Sequence, residues 1–256
     1  MYVVYCLGDR GGGRRSEAGR GRGATVLEFA RKNSLRMKQL VLEIAPPPPA
    51  TFDNFVIGSN RELIQTLREM AEGRFRERVT YIWGESGAGK THLLEAVHKT
   101  STGRLPGGTI LATADNVPEA PAEKALVVLT DVASLDEEGQ ARLFNLINTL
   151  GDSALLASGP SAPRDLQMRR DLATRLGSGL IYQVHALTDM EKHAALNAHA
   201  KSRGFGLTDE VAGYLLRHGR RDMPSLIAML DALDRYSLET GRTITVPLLK
   251  EALNLH

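Results

Sequence analysis

One cysteine, Cys6, is all that this 256-residue sequence contains. That scarcity excludes a disulfide or a thiolate metal site within one chain and fits a reducing compartment. Long apolar runs are also missing. None approaches the roughly 20 residues of a membrane span, so a cytoplasmic protein with no membrane partner is expected. The seven histidines show no metal-ligand spacing: His92 and His98 lie along one expected helix, while His193 and His199 stand six residues apart, off a common helix face. Packing or solvent exposure accounts for them. A surplus of charge is lacking as well, since the formal net charge is +2. Residues 1–36 hold eight basic residues against three acidic ones, which leaves 24 basic and 27 acidic in residues 37–256. A mildly acidic body argues against a face that tracks a phosphate backbone directly.

What is present suffices for a packed core: 42% of residues are hydrophobic, and the length suits one large or two modest domains. Residues 1–36 read as a disordered basic extension, because residues 8–23 are mostly glycine, arginine and small polar side chains. A basic arm, a targeting peptide and codons translated upstream of the true start compete as accounts; the third leads, with Met37 as the start. Residues 37–50 follow as a presented peptide and proline-rich linker. Leu40, Leu42 and Ile44 fall on one side of an extended chain, and the prolines 46–49 bar a helix or a central strand. An edge strand and a docking peptide both fit that pattern.

The strongest signal is the loop Gly84, Glu85, Ser86, Gly87, Ala88, Gly89, Lys90, Thr91, which satisfies G-x-x-x-x-G-K-[ST]. A short apolar run, Val79-Thr80-Tyr81-Ile82-Trp83, precedes it, and residues at helical spacing follow. Strand, glycine turn and helix together identify a P-loop: successive backbone N–H groups point inward, and the helix N-terminus adds partial positive charge. Lys90 is expected to reach the β- and γ-phosphates of ADP or ATP, with the Thr91 hydroxyl as a Mg²⁺ ligand. A second apolar run, residues 125–130, ends in Asp131 and reads as a Walker B strand whose acid shares the Mg²⁺ shell.

The next position lacks what many such ATPases use. A second acid there positions the attacking water, and this chain has Val132. Glu137 or Glu138 could reach in, although helix capping and solvated charge are commoner roles for them. Ser158, at the end of the following strand, is the remaining candidate for sensing a γ-phosphate. Further strands are expected at 109–112 and 180–184. From Thr188 onward the pattern is helical, with a capping box at Thr188 and Glu191 and a further cap at Thr208. The fold class is therefore α/β, a P-loop core with a parallel sheet flanked by helices over 51–186, then a small all-helical lid over 187–256.

Residues 51–60 (Thr-Phe-Asp-Asn-Phe-Val-Ile-Gly-Ser-Asn), with Gly-Lys-Thr-His-Leu-Leu at 89–94, resemble the DnaA-related group of AAA+ proteins. Roughly residues 39–253 are covered. The resemblance implies that Val56, Ile57 and Asn60 contact the adenine ring, although core packing also explains Val56 and Ile57; Asn60 reads besides as the cap of a helix running to about Gly73. It implies an arginine finger at Arg175, acting on the nucleotide of a neighbouring subunit, and a phosphate-sensing lid arginine at Arg221. The group carries an aspartate where this chain has Pro160, which can neither sense charge nor donate a backbone hydrogen bond. Gln39 with Leu40, Leu42 and Ile44 resembles peptides that bind the DNA polymerase III sliding clamp, which favours docking over an edge strand. A helix-turn-helix DNA-binding domain like the initiator's is not expected after the lid.

This combination implies a nucleotide-bound adaptor that docks on the clamp, meets DNA only through it, and stimulates hydrolysis of DnaA-bound ATP, restraining initiation of replication. Intrinsic ATPase activity would be weak at most, and a homo-oligomer is open. Two alternatives stand beside it: a self-hydrolysing ATPase such as a helicase-loader relative, and a clamp-binding scaffold with structural nucleotide.

Overall fold

The computed structural model describes residues 48–219 and 222–252, all within one unit of the chain, Val41–His256. The docking-peptide residues Gln39, Leu40, Leu42 and Ile44, and the lid residue Arg221, lie outside the described residues.

Five short strands build one sheet: β1 (Val79–Trp83), β2 (Thr109–Ala112), β3 (Leu126–Leu129), β4 (Ala154–Gly159) and β5 (Leu180–Gln183). Their order is β2-β3-β4-β1-β5, and every neighbouring pair is parallel. β3 and β4 are buried along their whole length, as expected of continuous apolar strands covered on both faces. Alternation along the strands divides their side chains between two layers. Ile82, Leu126, Val128 and Leu156 face α1 (Arg61–Ala71) and α2 (Lys90–Ser101), where Leu63, Leu67, Leu93, Leu94 and Val97 complete the packing. Tyr81, Val127, Leu129 and Leu155 face α3 (Glu137–Thr149) and α4 (Arg170–Gly177), against Leu143, Leu146, Leu172 and Leu176.

Four helices follow: α5 (Asp189–Ser202), α6 (Asp209–His218), α7 (Met223–Thr240) and α8 (Val246–Ala252). They enclose a separate apolar cluster that includes Leu196, Leu215, Leu226, Leu230 and Leu248. Their starts are set locally. The capping box is closed by Glu191 N–H to Thr188 Oγ1 at 3.2 Å and Thr188 N–H to Glu191 Oε2 at 2.8 Å. Asp222 Oδ1 accepts the N–H of Ser225 at 2.9 Å, with Pro224 tolerated in the first turn of α7, and Gly241 at φ 64° ends that helix. No helix among the described residues is long and apolar enough to cross a membrane.

Asn60 departs from its expected capping role. It stands at the N-cap of α1, yet its side chain makes no cap hydrogen bond. Its amide instead donates to Ile57 O at 3.1 Å and His185 O at 2.9 Å, and its Oδ1 accepts the His185 N–H at 2.8 Å. The side chain thus imitates a strand partner for residue 185 and ties the start of α1 to the segment leading into the lid. At 3% exposure those groups have little access to water.

Asn60→Ala removes the partner of both backbone groups of residue 185, while Ile57 O keeps the N–H of residue 60, and is expected to lower stability by about 1–3 kcal/mol in urea unfolding. The Glu191 carboxyl is held below its ordinary value of 4.5 by the Thr188 N–H and hydroxyl. Its contribution is therefore complete above pH 4.5 and lost as pH falls through the lower, folded value. Glu191→Gln is expected to flatten that part of an acid-unfolding profile followed by circular dichroism.

Candidate functional site

The carboxyl ends of the parallel strands open onto a cleft of about 1230 Å³, with the lid contributing one wall. Its floor is the P-loop between Trp83 and α2. At Gly84 the chain passes so close to β5 that a Cβ would lie 2.5 Å from Val184 O, and Val184 N–H bonds Trp83 O at 2.6 Å. Gly87 and Gly89 adopt φ of 79° and 100°. Only glycine takes such angles without strain, and they turn the loop into the first N–H groups of α2. A Cβ on Gly89 would also meet the Phe55 ring at 2.8 Å.

Lys90 Nζ donates to Gly84 O at 2.7 Å and Glu85 O at 2.9 Å, so the ammonium is held over the loop. Burial pulls its pKa down, and the nearby Asp131 carboxylate works against that shift. Thr91 is exposed at the first turn of α2. Asp131 follows β3 with φ 46°, one of two non-glycine residues at positive φ among the described residues. Its Oδ1 accepts the Ala133 N–H at 3.1 Å, while its own N–H donates to Ser158 Oγ at 3.2 Å. Beneath it lies Tyr81, whose hydroxyl donates to Ser161 O at 2.8 Å. Burial, and then the Asp131 charge, push that phenol well above its ordinary pKa. The Thr91 hydroxyl and Asp131 carboxylate are hard oxygen donors bordering one cleft, a set that fits Mg²⁺.

The wall opposite the phosphate-type floor is built by residues 48–56. Asn54 clips that segment: its Oδ1 accepts Thr51 N–H at 2.9 Å and its Nδ2 donates to Pro49 O at 3.0 Å. His92 Nε2 lies 2.9 Å from Thr51 O, and its ring stands 5.5 Å from that of Phe55. This fastens the wall to the P-loop helix.

Of the residues singled out from sequence, Gly84, Glu85, Ser86, Gly87, Ala88, Gly89, Lys90, Thr91, Asp131 and Val56 line the cleft. Ile57 does not, and is 40% exposed. Asn60 lies behind the wall, its amide occupied as described. Val132 is buried at 1% in the layer with Tyr81 and Leu143, so the position after Asp131 directs its side chain away from the cleft. Glu137 and Glu138 are in the first turn of α3, outside the cleft, and Glu138 pairs with Arg142 at 3.1 Å. Arg175 is exposed in the last turn of α4, outside the cleft, and makes no ion pair among the described residues. The nearby Arg169 instead binds Asp171 at 2.6 Å.

Phe55, His185, Leu187, Lys192 and Met223 also line the cleft and were not singled out. For His185 and Leu187 a signal existed, since they follow the end of β5, where parallel sheets place ligand crevices. The others come together only through tertiary packing. Among the described residues no three histidine, cysteine or acidic side chains cluster as a metal site. His199 Nε2 instead meets Asp231 at 2.7 Å in the lid, and His193 meets Asp209 at 3.3 Å.

Comparison with known proteins agrees with this architecture. Residues 48–116 match the bacterial DnaA ATPase domain, and residues 189–253 match the Hda lid domain. An uncharacterized protein of Haemophilus influenzae is 36% identical over 230 residues, spanning 85% of this chain and 99% of that protein. AMPPCP-bound DnaA from Aquifex aeolicus superposes with a TM-score of 0.59 at 22% identity, over 77% of this chain and 66% of that one. The chain thus spans about two thirds of that DnaA structure. Domain III of the Thermotoga maritima initiation protein DnaA gives 0.60 at 19% identity, over 82% of this chain and 98% of that one. The Thermotoga maritima RuvB branch migration motor gives 0.58 at 13%, over 81% and 72%. At these identities the structural likenesses show the fold, a P-loop AAA+ core with a helical lid. The chain belongs to the DnaA-related AAA+ family and carries an Hda-type lid.

The two left-handed glycines of the loop separate strain from crowding. Gly87→Ala meets no atom within 4 Å and should cost about 1–2 kcal/mol of backbone strain. Gly89→Ala adds the collision with Phe55, and should be the more destabilising of the two in urea unfolding followed by Trp83 fluorescence.

Proposed function

We propose that this protein is a nucleotide-holding adaptor that docks on the DNA sliding clamp through Gln39, Leu40, Leu42 and Ile44 and stimulates hydrolysis of DnaA-bound ATP. One observation carries the reading: Val132 turns into the core beside a complete phosphate cradle. The position from which a second acid would aim a water holds a hydrocarbon pointing the other way. Pro160 lines the cleft where the family has an aspartate, and offers neither charge nor an N–H donor. A site of that composition binds ADP or ATP better than it consumes them.

In this reading the P-loop N–H groups and Lys90 hold the phosphates, and Val56 packs on the base side together with Phe55. Thr91 and Asp131 would hold Mg²⁺, which supplies charge neutralisation between phosphate oxygens. Arg221 would report the phosphates to the lid. Arg175, exposed and outside its own cleft, would serve the nucleotide of a neighbouring subunit. Its guanidinium would stabilise charge on the phosphoryl group that DnaA transfers to water. The Hda-type lid and the DnaA-type core support these partners, and the compartment would be the cytoplasm.

The test is DnaA's ATP hydrolysis with clamp-loaded DNA added or withheld. Stimulation is expected only with all components, and Arg175→Ala should remove about 10³-fold of it. A Gln39→Ala/Leu42→Ala variant should lose clamp binding and stimulation together. Undiminished stimulation by Arg175→Ala would favour a scaffold with structural nucleotide. Steady phosphate release by the protein alone, abolished by Lys90→Ala, would identify a self-hydrolysing ATPase.

A further inference from the structure

We infer that Ser158 is a positioning residue for Asp131, setting the carboxylate for Mg²⁺-nucleotide, and that it does not read the γ-phosphate. The inference rests on the nucleotide-holding reading of the cleft. It starts from the backbone of Asp131, whose φ of 46° is an uncommon conformation for a residue with a Cβ. Such a conformation persists only where the surroundings over-determine it.

Three hydrogen bonds that involve a side chain do so, beside the backbone bond from Ser134 N–H to Asp131 O at 3.2 Å. Ser158 Oγ accepts the Asp131 N–H at 3.2 Å, Ser134 Oγ donates to Asp131 O at 2.7 Å, and Ala133 N–H donates to Asp131 Oδ1 at 3.1 Å. The first two fix the peptide groups on either side of the Cα, and the third fixes the carboxylate plane. Oδ2 has no hydrogen-bond partner among the described residues and is left for the cleft. Packing closes the same corner. Gly159, next to Ser158, lies where a Cβ would sit 3.2 Å from Val132 Cγ2 and 2.1 Å from the Tyr81 hydroxyl. Val132 turns inward into that corner directly after the left-handed Asp131.

Ser158 is 3% exposed, and its oxygen serves the strand-end N–H across β3 and β4. A hydroxyl used this way acts on Mg²⁺ through Asp131. It should therefore matter equally for ADP and ATP. A γ-phosphate sensor would matter for ATP alone, and this difference makes the two roles separable.

The experiment titrates ADP and ATP into the full chain, with Mg²⁺ and with EDTA, reading the fluorescence of Trp83, the sole tryptophan, at the mouth of the P-loop. Ser158→Ala is expected to reduce the Mg²⁺-dependent gain in affinity by about three- to tenfold for both nucleotides, leaving the EDTA affinities unchanged. Ser158→Thr, which keeps the hydroxyl, should retain the gain. Ser134→Ala, at an exposed residue outside the cleft, should reduce it in the same direction. That second variant decides the matter if Ser158→Ala loses its cooperative thermal transition. A loss confined to ATP, or an unchanged Mg²⁺ dependence for both nucleotides, overturns the inference. Wild-type protein that binds neither nucleotide overturns the nucleotide-holding reading itself and takes this inference with it.

Discussion

The cleft depends on register in a parallel sheet. β1 lies between β4 and β5, with Trp83 opposite Gly159 on one side and Gln183 on the other, while Leu129 of β3 is opposite Ala157 of β4. All these strands run the same way, so their carboxyl ends stop at one level. The P-loop, Asp131, Ser158 and His185 all begin there. A slip of one residue would exchange the faces of every side chain in the strand. Tyr81, fully buried under Asp131, would change places with Ile82, which packs in the opposite layer. The apolar composition of the strands therefore places the polar groups of the site as well as the core.

Close backbone approach is the second condition, and it explains two glycines better than loop flexibility does. Gly84 is needed because β5 continues alongside it to Val184 O. Gly159 is needed because Tyr81 and Val132 occupy the space of a side chain. Neither has positive φ among the described residues. Their work is to let the strands beside the cleft lie close enough for Val132 to turn inward and for Asp131 to turn outward.

Sequence carried the local features well and the tertiary ones poorly, for a physical reason in each case. The P-loop, the capping box at Thr188 and the β3 strand are read from neighbours within a few residues, and the structure places all three as expected. Val132 could be recognised from sequence as a missing acid, but its direction could not, because that depends on Tyr81 and Gly159. Asn60 looked like a helix cap because caps are local; its partner is His185, 125 residues away. Phe55 belonged to a stretch without helical or strand period, and its place against Gly89 and His92 follows only from the folded chain. The order of the strands was legible in no single segment.

Asn60 also bears on how the two helical and sheet regions communicate. Its amide holds residue 185 on both its N–H and its carbonyl, just before the chain enters the lid. Two residues earlier, Gly58 at φ 48° lies where a Cβ would sit 2.8 Å from Leu187 Cδ2 and 3.2 Å from Glu191 Oε1. The turn from Ile57 to Asn60 follows directly on Phe55 and Val56, which wall the cleft, and Thr51 of the same segment meets His92 on the P-loop helix. Cleft wall, P-loop helix and lid entry are thus joined through ten residues of irregular chain. Phe55 and Val56 of the cleft wall therefore belong to the same segment that grips His185. Packed elements of this kind shift between discrete arrangements more readily than they deform, and here one such segment borders the cleft at Phe55 and Val56 and the lid entry at His185 and Leu187.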